Sequence, residues 1–134
     1  MKTIKKVMLI DDDQINNFVC ENIIKNENFA EQVVSFEWAE DALSYLQDQA
    51  QKPDQAFPEL IFLDINMPGM DGWQFIKEYK KLPEHLTSHC CLFMLSSAVD
   101  RKDIITAKNM LEVKEFFSKP LSSEILNIIK EEYI

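Results

Sequence analysis

Three aspartates, Asp11, Asp12 and Asp64, stand just after short apolar runs, and so do the pair Ser96-Ser97 and the tripeptide Ser118-Lys119-Pro120. Three carboxylates brought within a few ångströms repel one another and must either bind a cation or take up a proton. Hard oxygen donors favour Mg²⁺, which takes a few carboxylates, keeps waters and accepts a phosphate oxygen. A lysine opposite them offers a point charge suited to a phosphoryl group, and a serine hydroxyl offers a neutral donor. That inventory fits phosphoryl transfer, in which catalysis is mostly positioning and charge neutralisation.

For these residues to meet, the chain must bring several strand ends to one place. Five short runs, Val7–Ile10, Val33–Phe36, Leu60–Leu63, Leu92–Leu95 and Val113–Phe117, alternate with five amphipathic stretches. The first, third and fourth runs are apolar throughout, as expected of central parallel strands covered on both faces. Between the runs the spacing turns helical, with faces formed by Ile15, Phe18, Val19 and Ile23, then Ala39, Ala42, Leu43 and Leu46, then Phe75, Tyr79 and Leu82. Ile104, Ala107 and Leu111 form the next face, and Leu121, Ile125 and Ile128 the last. Asp13 and Asp71 are placed to cap two of these helices. The pattern predicts an α/β doubly wound fold, with Gln49–Pro58 and Leu82–Ser88 as loops. In such sheets the carboxyl ends of the strands form the ligand crevice at the point where strand order reverses. With the order 2-1-3-4-5, Asp11, Asp12 and Asp64 converge there, flanked by Ser96 and Lys119.

Composition narrows the function classes. The 134 residues fit one domain, 1–134, with no linker, repeat or following output domain in view. A net charge of −9 argues against a direct nucleic-acid surface. No apolar run reaches the ~18 residues a membrane span needs, and the start is too short for a signal peptide, so a cytoplasmic location is expected. Cys20, Cys90 and Cys91 show no metal or disulfide spacing and read as buried free thiols.

The motifs Val7-Met8-Leu9-Ile10-Asp11-Asp12-Asp13, Leu63-Asp64-Ile65-Asn66-Met67-Pro68-Gly69-Met70-Asp71-Gly72, Met94-Leu95-Ser96-Ser97 and Phe117-Ser118-Lys119-Pro120 resemble the receiver domain of bacterial response regulators. The resemblance covers essentially the whole chain and implies the flavodoxin-like (βα)5 receiver fold, stand-alone type. It implies that Asp64 takes a phosphoryl group from a phosphohistidine on a sensor histidine kinase or histidine phosphotransfer protein. Asp12, Asp64 and the Asn66 backbone carbonyl would bind Mg²⁺, with Asp11 acting mainly through a water. Lys119 would pair with Asp64 and then with phosphoryl oxygens, which Ser96 and Ser97 would also contact. The Lys119–Pro120 bond would be cis. Ser96 and an aromatic ring, here Phe116 in place of the common tyrosine, would form the switch. The resemblance leaves the downstream target unnamed and admits a weak homodimer. It makes the chain a signalling domain and no enzyme beyond its own phosphorylation and dephosphorylation. Relatives carry small residues before the fifth strand where this chain has Asn109-Met110-Leu111-Glu112-Val113. Asn109 is a candidate left-handed turn residue, and Ala98 offers no group to orient or shield an attacking water.

Plainer readings stand beside several of these. Asp13 reads as a cap, His85 and His89 as surface residues without a metalloprotease glutamate, Trp73 as packing, and Phe116 as core alone. Gly69 and Gly72 read as positive-φ turn residues. Three other functions bear comparison with the same residues. A haloacid-dehalogenase-like phosphatase needs an aspartate where Asn66 stands. A flavodoxin-like cofactor binder would face a phosphate with Asp11-Asp12-Asp13. A degenerate receiver would act by binding alone.

Overall fold

The computed structural model describes residues 3–53, 56–97 and 100–134. Strands β1 (Ile4–Ile10), β2 (Ala30–Phe36), β3 (Leu60–Leu63), β4 (Cys91–Ser96) and β5 (Val113–Ser118) form one parallel sheet in the order 2-1-3-4-5. Around it lie α1 (Gln14–Asn26), α2 (Ala39–Gln49), α3 (Gly72–Tyr79), α4 (Glu84–Thr87), α5 (Arg101–Lys108) and α6 (Ser123–Tyr133). The doubly wound order read from the sequence is therefore the order found. The stretch 82–88, read as a loop, holds the single helical turn α4, whose Leu86 is buried.

Strand side chains alternate between faces, so the sheet separates two cores. Met8, Ile10, Ile61, Leu63, Leu92 and Met94 pack with α2, α3 and α5 on one side. Val7, Leu9, Leu60, Phe62, Phe93 and Leu95 pack with α1 and α6 on the other. All four residues of β3 are buried because both faces are covered. The edge strands β2 and β5 carry exposed polar residues.

Three helical faces differ from their sequence reading. In α1 the buried residues are Asn17, Cys20 and Ile24, while Ile15, Phe18 and Val19 are 76%, 67% and 42% exposed. The helix rotation is set by polar anchors: the Asp13 carboxylate accepts from the amides of Ile15 and Asn16, and Asn17 donates to the Asp11 carbonyl. In α6 it is Leu126 and Ile129 that are buried, while Ile128 faces solvent and Leu121 is buried ahead of the helix. Leu111 lies beyond the end of α5 and is 90% exposed, leaving Ala107 as the buried residue of that helix.

Turn chemistry also differs. Asn109 has φ −88 and is not left-handed; the left-handed non-glycine among the described residues is Asn28, at φ 51 between α1 and β2. Gly69 has φ +74, as read, but Gly72 is glycine for another reason. A Cβ there would stand 2.6 Å from the Asp64 carbonyl oxygen and 3.0 Å from the Ile65 Cα. Gly72→Ala is expected to destabilise by about 1–3 kcal/mol through forced backbone displacement, and Gly69→Ala by about 1–2 kcal/mol through its positive φ. Urea unfolding of the two variants measures both, and a neutral Gly72→Ala would contradict the packing account.

Candidate functional site

Each residue of the predicted constellation sits at the carboxyl end of a strand, with its backbone held by a bond that prolongs the ladder. The Asp11 amide donates to the Phe36 carbonyl at 3.0 Å, the Asp64 amide to the Ile10 carbonyl at 3.0 Å, and the Lys119 amide to the Ser96 carbonyl at 3.1 Å. The loop after Asp64 is closed by the Gly72 amide on the Ile65 carbonyl at 2.8 Å. Beyond it the Asp71–Gln74 capping box starts α3. Short side chains on fixed backbone leave the carboxylates few places to go.

The three acids meet. Carboxylate oxygens of Asp11, Asp12 and Asp64 lie within 4.8 Å of one another, Asp11 and Asp64 buried and Asp12 exposed. Lys119 Nζ stands 2.5 Å from Asp11 Oδ2 and 3.6 Å from Asp64 Oδ2. The lysine expected to pair with Asp64 is thus shared, and leans on Asp11. Asp11 also accepts from the Asp13 amide at Oδ1 and from Asn16 Nδ2 at Oδ2, both at 2.9 Å. Asp64 Oδ1 accepts from the Ile65 amide at 2.9 Å.

Burial pushes the Asp11 carboxyl above its ordinary value, against the pull of the Lys119 contact and the Asp13 amide, and the Asp64 charge pushes the same way. Burial pulls the Lys119 ammonium down, but the Asp11 hydrogen bond and the charges of Asp11, Asp64 and Asp13 outweigh it, so its net shift is upward. Both ends of one contact rise, the acid because burial outweighs its partners and the lysine because its acidic neighbours outweigh burial. Three hard oxygen donors gathered at an opening fit a divalent cation, and the exposed Asp12 leaves it a path from solvent.

The remaining predicted residues fall around this centre. Ser96 is buried at the end of β4, while Ser97 is exposed, as is Asn66, two residues past Asp64. Phe116 is half-buried against the core and borders a cavity of about 400 Å³ between α5 and β5. Trp73 packs against the core. His85 and His89 are exposed and only His85 lies on a helix. Cys20 and Cys90 are buried free thiols, pushed up by burial to about 11 and about 12; Cys91 is half-buried. The Lys119–Pro120 peptide is cis. Ala98 lies outside the described residues. Sequence reasoning missed Asn16 and Asn17, whose amides hold Asp11. The signal was present: two donors five and six residues beyond Asp11, across the first turn of a helix.

Comparison with known proteins finds relatives for the chain and its fold. The family model for the response regulator receiver domain matches residues 7–130. A two-component response regulator from Cytophaga hutchinsonii has the same fold at TM-score 0.90 and 31% identity, covering 98% of this chain and 97% of that one. The phosphorylated cyanobacterial phytochrome response regulator RcpA matches at TM-score 0.72 and 26% identity, over 96% and 91% of the two chains. The chemotaxis protein CheY of Listeria monocytogenes is 27% identical over 120 residues, 89% of each chain.

Because Asp11 is held above its ordinary value, its ionisation subtracts stability as pH rises from the usual carboxylate range through that raised value. A bound cation offsets that loss. Mg²⁺ at ten times its dissociation constant should therefore stabilise the protein by about 1.4 kcal/mol at neutral pH. The gain should shrink as pH falls and the site protonates, and Asp12→Asn should remove most of it. Thermal melts with and without Mg²⁺ at two pH values check this.

Proposed function

Given that the chain belongs to the response regulator receiver domain family, a signalling domain of two-component and phosphorelay systems and no classical enzyme, we propose that Asp64 is its phosphoacceptor, with residues 1–134 acting as one receiver domain. The observation that carries this reading is the meeting of Asp64 with Asp11, Asp12 and Lys119 at the carboxyl end of the sheet. A carboxylate oxygen of Asp64 attacks the phosphorus of a phosphohistidine on a histidine kinase or phosphotransfer protein. The new O–P bond forms as the P–N bond breaks, and the electron pair leaves with the imidazole nitrogen. Asp64 Oδ1, held by the Ile65 amide, keeps the carboxylate aimed. Asp11, Asp12, Asp64 and the Asn66 backbone carbonyl would hold Mg²⁺, which neutralises charge on the phosphoryl oxygens. Lys119 supplies a second positive charge, and the hydroxyls of Ser96 and Ser97 donate to the same oxygens. Phe116 beside its cavity has room to change position once Ser96 is drawn toward the phosphoryl group.

The exposed face of α1 supports a docking role. Ile15, Phe18 and Val19 lie at helical neighbour positions on the helix that starts two residues after Asp12. Leaving such side chains in water forgoes about 1.5–3 kcal/mol each, and an apolar patch of this kind beside a reactive group marks a contact surface. A phosphohistidine-bearing partner seated there would bring its imidazole to the crevice.

Two experiments test the proposal. Incubation with a small phosphodonor and Mg²⁺ should add one phosphoryl mass to the intact protein, and Asp64→Asn should abolish the adduct; a chain that takes no phosphoryl group at any Mg²⁺ concentration would act by binding alone. Phe18→Asp should slow transfer from a phosphohistidine protein by about tenfold, the loss of roughly 1.4 kcal/mol of docking energy. The same substitution should leave phosphorylation by the small donor unchanged, and equal loss with both donors would refute docking at α1.

A further inference from the structure

Asn17 is bound at one end of its amide and open at the other. Nδ2 donates to the Asp11 carbonyl at 2.8 Å. Turning the amide over would set two carbonyl oxygens against each other, so that bond fixes which end is the nitrogen. The other end, Oδ1, is buried and accepts no hydrogen bond from any described residue. Asn17 as a whole is only 6% exposed. A buried acceptor left unpaired costs free energy, and such groups in native proteins have a protein or a water partner.

A small cavity adjoins this residue, between α1 and the sheet. Its polar wall comprises Asn16, Asn17 and Cys20 of α1 and Asp11 and Asp64 at the strand ends. Its apolar wall includes Leu9, Phe62 and Leu95, which belong to the core under α1. Neither Asp12 nor Lys119 lines it, so it stands apart from the opening at Asp12. The cavity offers about 10 Å³ to the centre of a water molecule, at the lower limit of the roughly 10–15 Å³ that one water needs. The wall also supplies the two to four polar partners that a buried water requires. Asn16 Nδ2 has a second hydrogen beyond the one it gives to Asp11 Oδ2, Cys20 has a weak S–H donor, and the two aspartates have acceptor oxygens.

We propose that this cavity is a binding site for one water molecule, which donates a hydrogen to Asn17 Oδ1 and so completes the pairing of the buried amide. The water ties α1 to the strand ends from the core side and is independent of the phosphoacceptor reading above. It accounts for a polar residue in the buried stripe Asn17, Cys20 and Ile24 of α1.

Two measurements on the full chain test this, both without Mg²⁺, whose own waters would be counted. A crystal structure should show one density peak about 2.8 Å from Asn17 Oδ1. Magnetic relaxation dispersion of water oxygen, which counts waters held longer than the protein takes to tumble, should lose one water in Cys20→Val, whose second methyl group takes up the space. Cys20→Ser keeps both the space and a donor and should retain the full count. A dry cavity, a protein donor found on Oδ1, or an unchanged count in a folded Cys20→Val overturns the proposal. So does a density peak with no matching long-lived water, which would mark a bound ion instead. Should Cys20→Val fail to fold, the density at Oδ1 and the count in the unsubstituted protein decide the matter.

Discussion

Concentrating negative charge at one end of a buried sheet is the constraint to which the rest of this molecule answers. Two desolvated carboxylates, Asp11 and Asp64, and an exposed third, Asp12, lie within 4.8 Å of one another. Such an arrangement is unfavourable by itself. It is held by Lys119, reaching in from the strand end two positions across the sheet, by backbone amides, and by the asparagine that follows on α1.

The fold makes that arrangement possible by separating packing from chemistry. The runs Val7–Ile10 of β1, Leu60–Leu63 of β3 and Leu92–Leu95 of β4 are apolar and carry two cores, one on each face. The polar side chains of the site stand where the strands end, and all on the same edge because every strand runs the same way. Reversal of strand order between β1 and β3 opens the crevice there. Gly72 lets α3 begin in close contact with the Asp64–Ile65 backbone, which no side chain would permit.

Much of this was legible in the sequence, for a physical reason. Fully buried strands such as Leu60–Leu63 have no solvent face to confuse the pattern, and a polar residue straight after an apolar run marks a strand end without ambiguity. The strand-end positions of Asp11, Asp12, Asp64, Ser96 and Lys119 were readable in that way. Amphipathic periodicity served less well where two faces were both apolar. In α1 the run Ile15, Phe18, Val19 outscored Asn17, Cys20 and Ile24, yet hydrogen bonds to Asp11 and Asp13 set the rotation. Leu111 fits a helical repeat in sequence, but the helix has stopped at Lys108. The role of Gly72 was hidden because close approach between two backbone segments leaves no trace in composition.

The side chains at the strand ends differ in mechanical compliance. An aspartate has two torsions and a short reach; Lys119 has a long arm rooted on a backbone amide bound to Ser96. Any change in the local balance of charge is therefore taken up first by the lysine, as a displacement of its tip, while the acids hold their ground. The root of that arm is shared with β4 and β5, which are paired in register at Ser96 and Ser118. A displacement of that tip would therefore bear on β4 and β5, and not on the half of the sheet that holds β1 and β2.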